Sequence, residues 1–554
     1  MGFNQIDSKV ESELSLFYFN MKYPRRTFLS IFSSWFILIG LSKAQEVSPR
    51  RKKIREEGSG RGRGPKPFGP KASLSLIWGR PTSNSIALSV LSATAVEVQV
   101  EFGTAPGDTT NKFALGLTQP NVPLEKELAS LQTAQTYHYQ LLRRAQPNEP
   151  WVKEASGQFS TARRSGEAFT FSIQGDSHPE RQGIMYDPGL YSITLGSIVQ
   201  IKPDFHILMG DDFSLDHEIE SKTLQQSSVN QVYAHQRSFL GIIGETAPLF
   251  LINGNHDQAS RHWLDGTETN PAVLAGRARV SHYPLPVPDP FYQGDSEEIP
   301  FVGLARDYYA WTWGDALFVV LDPYWHSPMP AIGSSGPGNK DYGQKPGEAQ
   351  GKKQDGGPKT GPPAPGSPEQ RDLWQLSLGE TQYQWLAKTL SESKAKWKFV
   401  FCHHVLGTLR GGVEIASLYE WGGKNRRGIQ EFAQKRPTWG MPIHQLMVKH
   451  GVNIFFQGHD HLFAKQELDG VIYQTCPLPA DSTYQAFNSD SYKSGEILPN
   501  AGYLKVDVNP SHVKVDYIRS FLPADEKADQ KNNSLAFSYQ IPAIEGRGRV
   551  ISHA

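Results

Sequence analysis

The sequence contains five short motifs rich in aspartate, histidine and asparagine, and each follows directly after a run of apolar residues. A short apolar run that stops at a polar tip is typical of a buried strand and the loop behind it. Carboxylate, imidazole and amide groups in such a loop can bind metal ions, move protons or orient a substrate. In chain order the motifs are Gly175-Asp176-Ser177-His178, Gly210-Asp211-Asp212, Gly254-Asn255-His256-Asp257, His403-His404 and Gly458-His459-Asp460-His461.

The segments between these motifs predict the elements that must hold them. Strand-like runs at 169–174, 205–209 and 249–252 are separated by helical stretches at about 190–200 and 224–243. Strands that alternate with helices predict an α/β layer architecture. Because a packed sheet holds the loops at its strand ends still, we expect the chemistry of this chain in those loops.

Taken in this order, the motifs resemble the signature of the calcineurin-like metallophosphoesterase superfamily, which is Asp-x-His, Gly-Asp, Gly-Asn-His-Asp, a histidine at a strand end and Gly-His-x-His. The resemblance extends over roughly residues 166–520. It implies a four-layer αββα core with two metal ions, of iron, zinc or manganese in a divalent or trivalent state, at the strand ends. It also implies the ligands, which are Asp176, His178 and His461 for the first ion, Asn255, His403 and His459 for the second, and Asp211 as the bridge.

The resemblance further implies the hydrolysis of phosphate esters. Two close metal ions lower the pKa of a bound water and so provide a hydroxide nucleophile near neutral pH. His256 would stand beside the ions as a proton donor or transition-state stabiliser, oriented by Asp257. The substrate is a phosphomonoester or a phosphodiester. An inactive exported binding or scaffold protein with this fold is the alternative, and the presence of every expected ligand favours the enzyme.

Three other residues are candidate substrate contacts. Arg410 would bind a phosphate oxygen, unless it is an ordinary surface arginine. His404 is also the alternative to His403 as a metal ligand, and His217 follows Asp211 by six residues.

Two positions differ from the pattern of purple acid phosphatases, and this difference leaves the metal identity open. A β-sandwich ahead of a metallophosphoesterase domain, as residues 71–165 predict, is similar to purple acid phosphatases and some exported alkaline phosphatases. Purple acid phosphatases carry Gly-Asp-x-Gly in the first motif and a tyrosine three residues after the bridging aspartate. His178 and Ser214 stand at those two positions here. A purple ferric site is therefore not expected.

Ahead of the motifs, residues 71–165 predict a small β-sandwich. Short runs such as 74–78, 85–90 and 96–102 alternate between apolar and polar residues, with turn residues between them. Such alternation indicates antiparallel strands with one buried face. The stretch 128–139 resembles the tyrosine corner of fibronectin type III-like domains. The metallophosphoesterase domain is predicted to follow at 166–522.

The N-terminus predicts an export signal within residues 1–44. Arg25 and Arg26 precede an apolar run at 28–41 that is shorter than the roughly 20 residues of a membrane span. The paired arginines resemble a bacterial twin-arginine signal, so we expect the export machinery as a partner and a periplasmic or extracellular location. An uncleaved signal would instead anchor the protein in the membrane. Met21 is a plausible start, and residues 45–70 are predicted as a basic Gly/Pro-rich linker.

The length and composition of the chain bear on its number of domains, its partners and the state of its cysteines. The chain has 554 residues, which favours more than one domain, and its 56 basic and 56 acidic residues balance, so nothing points to a nucleic-acid partner. Cys402 and Cys476 are the two cysteines, and two buried free thiols are expected, with a bridge as the alternative. Residues 327–369 are predicted as a low-complexity insertion and 523–554 as a C-terminal tail. The oligomeric state is not predicted.

Overall fold

The structure, a computed structural model, describes residues 74–257, 264–327, 372–405 and 409–543, all within one compact unit of the chain. The predicted export signal, the linker and nearly all of the predicted insertion lie outside these ranges, so the export prediction stays a prediction. Among the residues described, no helix is both long and apolar enough to cross a lipid bilayer.

The N-terminal region consists of seven strands. Their inward-facing residues, with Trp78, Tyr139 and Phe159 at the centre, form an apolar core of their own. The Tyr137 hydroxyl accepts a hydrogen bond from the Gln132 backbone N–H at 2.8 Å. The strands are β1 (Leu74–Gly79), β2 (Ile86–Ser92), β3 (Glu97–Gly103), β4 (Asn111–Leu117), β5 (Leu124–Leu128), β6 (Thr136–Arg144) and β7 (Val152–Ser160).

Strands and helices alternate in the first half of the core, as predicted. Helix α1 begins at a proline, and the preceding Asp187 side chain accepts a hydrogen bond from the Leu190 N–H at 2.9 Å, which caps the helix. The elements are β8 (Phe169–Gln174), α1 (Pro188–Gln200), β9 (Phe205–Leu208), α2 (Asp216–Glu220), α3 (Gln226–Gly244), β10 (Leu249–Leu251) and α4 (Pro271–His282).

The second half of the core adds a second sheet and shorter helices. Its elements are β11 (Gln293–Gly294), β12 (Glu298–Ile299), β13 (Gly303–Leu304), β14 (Tyr309–Trp313), β15 (Ala316–Val320), α5 (Gly379–Glu392), β16 (Trp397–Phe401), α6 (Tyr419–Gly422), α7 (Phe432–Lys435), α8 (Ile443–Lys449), β17 (Ile454–Gln457), β18 (Phe463–Leu468), β19 (Val471–Thr475), β20 (Glu496–Leu498), β21 (Gly502–Val508), β22 (His512–Arg519) and β23 (Leu535–Pro542).

The two large sheets pack face to face. The first has nine strands in the order β23-β22-β21-β8-β9-β10-β1-β2-β5, and the second has eight in the order β11-β14-β15-β16-β17-β19-β18-β20. Strands β8, β9 and β10 are parallel neighbours, and so are β15, β16 and β17. Strands β4-β3-β6-β7 form a separate sheet that closes the N-terminal sandwich, and β12 pairs with β13.

Aromatic side chains fill the space between the two large sheets. Phe250 of the first sheet stacks on Trp311 of the second with ring centroids 4.2 Å apart, and Phe171 meets Phe318 edge-on at 5.2 Å. Further apolar clusters pack α1, α3 and α4 on the outside of the first sheet and α5, α6 and α8 on the outside of the second. The predicted α/β class, with a four-layer αββα core behind a β-sandwich, is confirmed.

The N-terminal sandwich shares a sheet with the core. Gly79 of β1 pairs with Leu249 of β10, so the edge of the sandwich continues the first large sheet. The Tyr139 hydroxyl also donates to the Glu245 carbonyl oxygen at 2.6 Å. Residue alternation marks the strands but does not reveal this join, because the pairing partners are far apart in the chain.

The segment after residue 522, predicted as a tail, contributes strand β23 to the edge of the first sheet, where it pairs antiparallel with β22. It alternates between more and less exposed residues as an edge strand does. Cys402 and Cys476 are both buried and free, as expected.

Candidate metal centre

The predicted ligands lie directly after parallel strands of both sheets. Asp176 follows β8, Asp211 follows β9 and Asn255 follows β10 in the first sheet, while His403 follows β16 and His459 follows β17 in the second. The carboxyl ends of parallel strands open at one edge of a sheet, which is where α/β folds place their sites. All seven predicted ligands are buried.

One group of side chains contains Asp176, His178 and His461, whose ligand atoms all lie within 4.8 Å of one another. His461 Nε2 is 3.1 Å from Asp176 Oδ2 and 3.0 Å from His178 Nε2. This is the set that the resemblance implies for the first ion.

A second group contains Asp211, His403 and His459, with the same 4.8 Å limit between ligand atoms. His403 Nε2 is 3.1 Å from Asp211 Oδ2. The same Asp211 oxygen lies 3.6 Å from His178 Nε2, so Asp211 faces both groups as a bridging residue must. Asn255 is buried in the loop whose next residue, His256, donates its backbone N–H to Asp211 Oδ1 at 2.8 Å.

The backbone at the site adopts conformations that ordinary residues avoid. Four predicted ligands have positive φ angles, with 50° at His178, 59° at Asp211, 66° at His459 and 57° at His461. Such conformations cost about 1–3 kcal/mol each and persist where the surrounding structure enforces them, often at functional sites. Gly254 is also required, because a Cβ there would lie 2.2 Å from Asp211 Oδ1.

Hydrogen bonds orient two of the imidazole rings toward the centre. His403 Nδ1 donates to the Met209 carbonyl oxygen at 2.7 Å, which leaves Nε2 facing Asp211. His178 Nδ1 donates to Glu180 Oε1 at 2.8 Å, which leaves its Nε2 facing the aspartates. A histidine that binds metal through one nitrogen commonly donates from the other in this way.

The buried carboxylates and imidazoles of the site shift one another's pKa values. Burial alone would raise the pKa of Asp211, but His403 and the other imidazoles hold it well below its usual range. Burial alone would lower the pKa of His403, but the carboxylates of Asp211 and Asp176 outweigh it and raise that pKa to about 10. Burial lowers the pKa of His461 to about 3. The carboxylates of the site therefore favour positive charge at the position of His403.

The donor set fits a metal ion of the zinc, iron or manganese class. Such ions take imidazole, carboxylate and amide ligands. His459 Nδ1 is buried and has no hydrogen-bond partner among the residues described, as a nitrogen reserved for a metal would be. Cys402 is not part of this set, because its thiol donates to the His404 carbonyl oxygen at 3.3 Å and burial raises its pKa.

Asp257 does not orient His256, contrary to the prediction. Its two carboxylate oxygens accept backbone N–H groups from four residues at 2.7 or 2.8 Å, namely Asp211, Asp212, Phe213 and Gly254. With both oxygens committed, Asp257 ties the loop after β9 to the loop after β10.

The His256 ring instead lies between two residues that the sequence analysis missed. Its Nδ1 is 3.3 Å from Asp216 Oδ2, and Arg181 Nη2 is 3.3 Å from its Nε2. A ring nitrogen of His256 also comes within 4.8 Å of ligand atoms of Asp211 and His178, so the ring reaches the centre. Asp216 and Arg181 each follow a motif by a few residues, but nothing in their type or spacing distinguishes them from ordinary loop residues.

The candidate substrate contacts lie at different distances from the centre. The His404 ring packs against that of His459 in a tilted arrangement with centroids 4.2 Å apart, and its Nδ1 is 3.0 Å from the Tyr324 hydroxyl. Arg410 donates to the His459 carbonyl oxygen and lies 3.4 Å from Asp460 Oδ1, so it braces the last motif. His217 is in α2, where its neighbour Asp216 is the residue that reaches His256.

Comparison with known proteins finds similarity in the fold but not in the sequence. No protein-family model matches the chain, and no curated protein matches it by sequence. A solved structure of PhoD matches with a TM-score of 0.55 at 15% identity, over 85% of this chain and 90% of that chain. A putative 5′-nucleotidase from Staphylococcus aureus matches with a TM-score of 0.28 at 12% identity, over 70% of this chain and 56% of that chain. With the PhoD structure among its neighbours, the chain has the fold that the resemblance to the calcineurin-like metallophosphoesterase superfamily implies.

Proposed function

We propose that this protein hydrolyses phosphate esters at the strand-end centre and uses two metal ions to do so. The observation that carries the proposal is the convergence of the predicted ligands, from loops after strands of two different sheets, into two groups that both face Asp211. An inactive scaffold has no need for this convergence or for the backbone strain at four of the ligands.

The chain would hold the first ion with Asp176, His178 and His461, and the second with Asn255, His403 and His459, with Asp211 between them. Such ions, when bound, supply a nucleophile near neutral pH and offset the charge of a phosphoryl group. The residues around them exclude bulk water, since all of these side chains are buried. Exclusion of water strengthens every electrostatic contact with a bound ester.

His256 would deliver the proton that the leaving alkoxide requires. Asp216 lies at Nδ1 and would fix a hydrogen on that atom. Nε2 accepts an N–H from Arg181 in this structure and would carry the transferable proton once Arg181 turns to a bound ester. Arg181 lies next to Nε2 and would contact the anionic oxygens of the ester there. In this proposal Arg181 replaces Arg410 as the arginine that contacts the phosphate, and Asp216 replaces Asp257 as the residue that orients His256.

A leaving-group series tests this function. The purified protein is expected to hydrolyse aryl phosphates, and parallel assays with aryl monoesters and aryl diesters show which class it prefers. His256→Ala should retain the bound metal but lose turnover by about 10²–10⁴. The loss should be largest for poor leaving groups, because these need a proton in order to depart.

Two outcomes would count against the proposal. Absence of hydrolysis of both ester classes by metal-loaded protein would favour the scaffold alternative. A loss in His256→Ala that is uniform across the series, or that accompanies loss of metal, would remove the role of proton donor and make His256 a ligand or a support for its loop.

A further inference from the structure

A third group of potential metal ligands lies outside the strand-end centre. Asp295 follows β11, Asp307 precedes β14, and His326 follows β15. One ligand atom from each residue lies within 4.8 Å of those of the other two. The aspartates are 2% and 0% exposed, and the His326 side chain is 15% exposed. We refer to these three residues as the side cluster.

Each residue of the side cluster has one terminal atom without a hydrogen-bond partner among the residues described. Asp295 Oδ1 accepts the Glu297 N–H, and Asp307 Oδ1 accepts the Tyr308 N–H, both at 2.9 Å. The other oxygen of each aspartate has no hydrogen-bond partner among the residues described, and neither has His326 Nε2. His326 Nε2 and Asp307 Oδ2 are 3.5 Å apart and form an ion pair when the imidazole is protonated. A buried polar atom that lacks a partner costs roughly 1–3 kcal/mol, and more if it is charged.

An ion pair alone leaves the charge of the side cluster unbalanced. One imidazolium can neutralise one carboxylate, but the side cluster has two. In the part of the chain that the structure describes, no lysine or arginine side chain pairs with Asp295 or Asp307. Asp322, a further carboxylate that acts on Asp307, adds negative charge, and its own oxygens are occupied by the Asn253 side chain at 2.6 Å and the Tyr324 N–H at 2.6 Å.

We propose that Asp295, Asp307 and His326 bind a divalent transition-metal ion, of the class that Zn²⁺ represents, separately from the strand-end centre. Two carboxylate oxygens and one imidazole nitrogen form a recurring ligand set for this class, whereas Ca²⁺ and Mg²⁺ favour oxygen ligands throughout. The ion would satisfy all three unpartnered atoms at once and offset the second carboxylate.

Such an ion would hold together segments at one side of the second sheet. Beside His326, the Ser377 N–H donates to the Ser327 side chain at 2.9 Å, so the chain segments on either side of residues 328–371 lie together. The aspartates belong to the turn segments that flank β12 and β13. An ion held by Asp295, Asp307 and His326 would join these turn segments to the chain that leaves β15.

Counting zinc in the full-length protein tests the proposal. The protein is stripped with a chelator, refilled with Zn²⁺, desalted and measured by elemental analysis. Asp307→Asn is expected to bind one equivalent of Zn²⁺ per chain less than the wild type. The effect of Asp307→Asn is measured a second time in protein that also carries Asp211→Asn. One equivalent of Zn²⁺ should be lost there too, so the result does not depend on the proposed function of the strand-end centre.

Asp469→Asn is the matched control. Asp469 Oδ2 is 3.0 Å from His444 Nε2, but this Asp–His pair has no second carboxylate, so its loss should leave the zinc count unchanged. His326→Gln is the second variant if Asp307→Asn does not fold, and it too should lose one equivalent. A folded Asp307→Asn or His326→Gln protein with the wild-type zinc count would overturn the proposal and leave the side cluster as a buried ion pair.

Discussion

The strand-end centre and the side cluster use the same kinds of side chain, but the fold holds them differently. The loops of the strand-end centre follow strands of two packed sheets, and Asp257 alone ties two of these loops through four backbone N–H groups. In the side cluster, Asp295 and Asp307 each accept a single backbone N–H. The sheets and Asp257 therefore position the first set of ligands in advance, whereas the second set depends more on the ion it binds.

The largest expected effect comes from removing the Asp257 brace. Asp257→Ala should lower the free energy of unfolding by about 4 kcal/mol or more, because each of the abandoned buried N–H groups costs about 1 kcal/mol or more. Asp295→Ala is the matched comparison, and little net loss is expected there, because the loss of one N–H acceptor is offset by removal of a buried carboxylate oxygen that has no hydrogen-bond partner among the residues described. Denaturant unfolding in the presence of chelator measures both free energies without a contribution from bound metal.

Equal losses of unfolding free energy in Asp257→Ala and Asp295→Ala would contradict this difference between the two sites. They would mean that the two sets of ligands are positioned in advance to the same degree, and that the sheet edges hold the loops after β9 and β10 without Asp257.

A smaller effect is expected at Asp216, which we regard as a positioning residue for His256. Asp216→Asn should lower turnover by about tenfold, the lower end of what a lost orienting partner costs. In the His256→Ala background the same change should cost almost nothing, because the ring that Asp216 orients is gone. A double-mutant cycle across the leaving-group series measures this coupling.

His217 provides the neighbouring control in α2. His217→Asn should act independently of His256→Ala in the same cycle. Independent effects of Asp216→Asn and His256→Ala would refute the positioning role, and coupling at His217 would restore the sequence-based prediction that it takes part in the site.

The sequence predicts those parts of the fold that the order of apolar and polar residues along a short segment determines. An apolar run that ends in Gly-Asp or Gly-His identifies a strand and its loop within a few residues, and the order of these motifs carries the resemblance. Hence the α/β class, the αββα layers and the identity of the candidate ligands could all be written down before the structure. The join between β1 and β10 and the place of β23 could not, because they are set by pairing between distant segments.

The same limit applies within the site. Asp216 and Arg181 reach His256 only through the path of their loops, and an aspartate four residues after a motif is common. Asp257 was expected beside His256 because the two are consecutive, but consecutive side chains point apart, and its carboxylate meets backbone N–H groups instead. The side cluster draws on two-residue strands and turns, where no periodic pattern exists to mark a ligand.

Metal content and ester hydrolysis, measured together in Asp211→Asn and Asp212→Asn, test the proposed two-metal centre. Asp211 faces both groups of ligands, so Asp211→Asn should lose bound metal and hydrolysis together. Asp212 is its buried neighbour, and its Oδ1 accepts from Ser177 Oγ at 2.5 Å and Gln174 Nε2 at 3.2 Å, which an amide oxygen can do equally well. Asp212→Asn should therefore keep its metal and most of its hydrolysis. An Asp211→Asn protein with full metal content and near-native turnover would contradict the account.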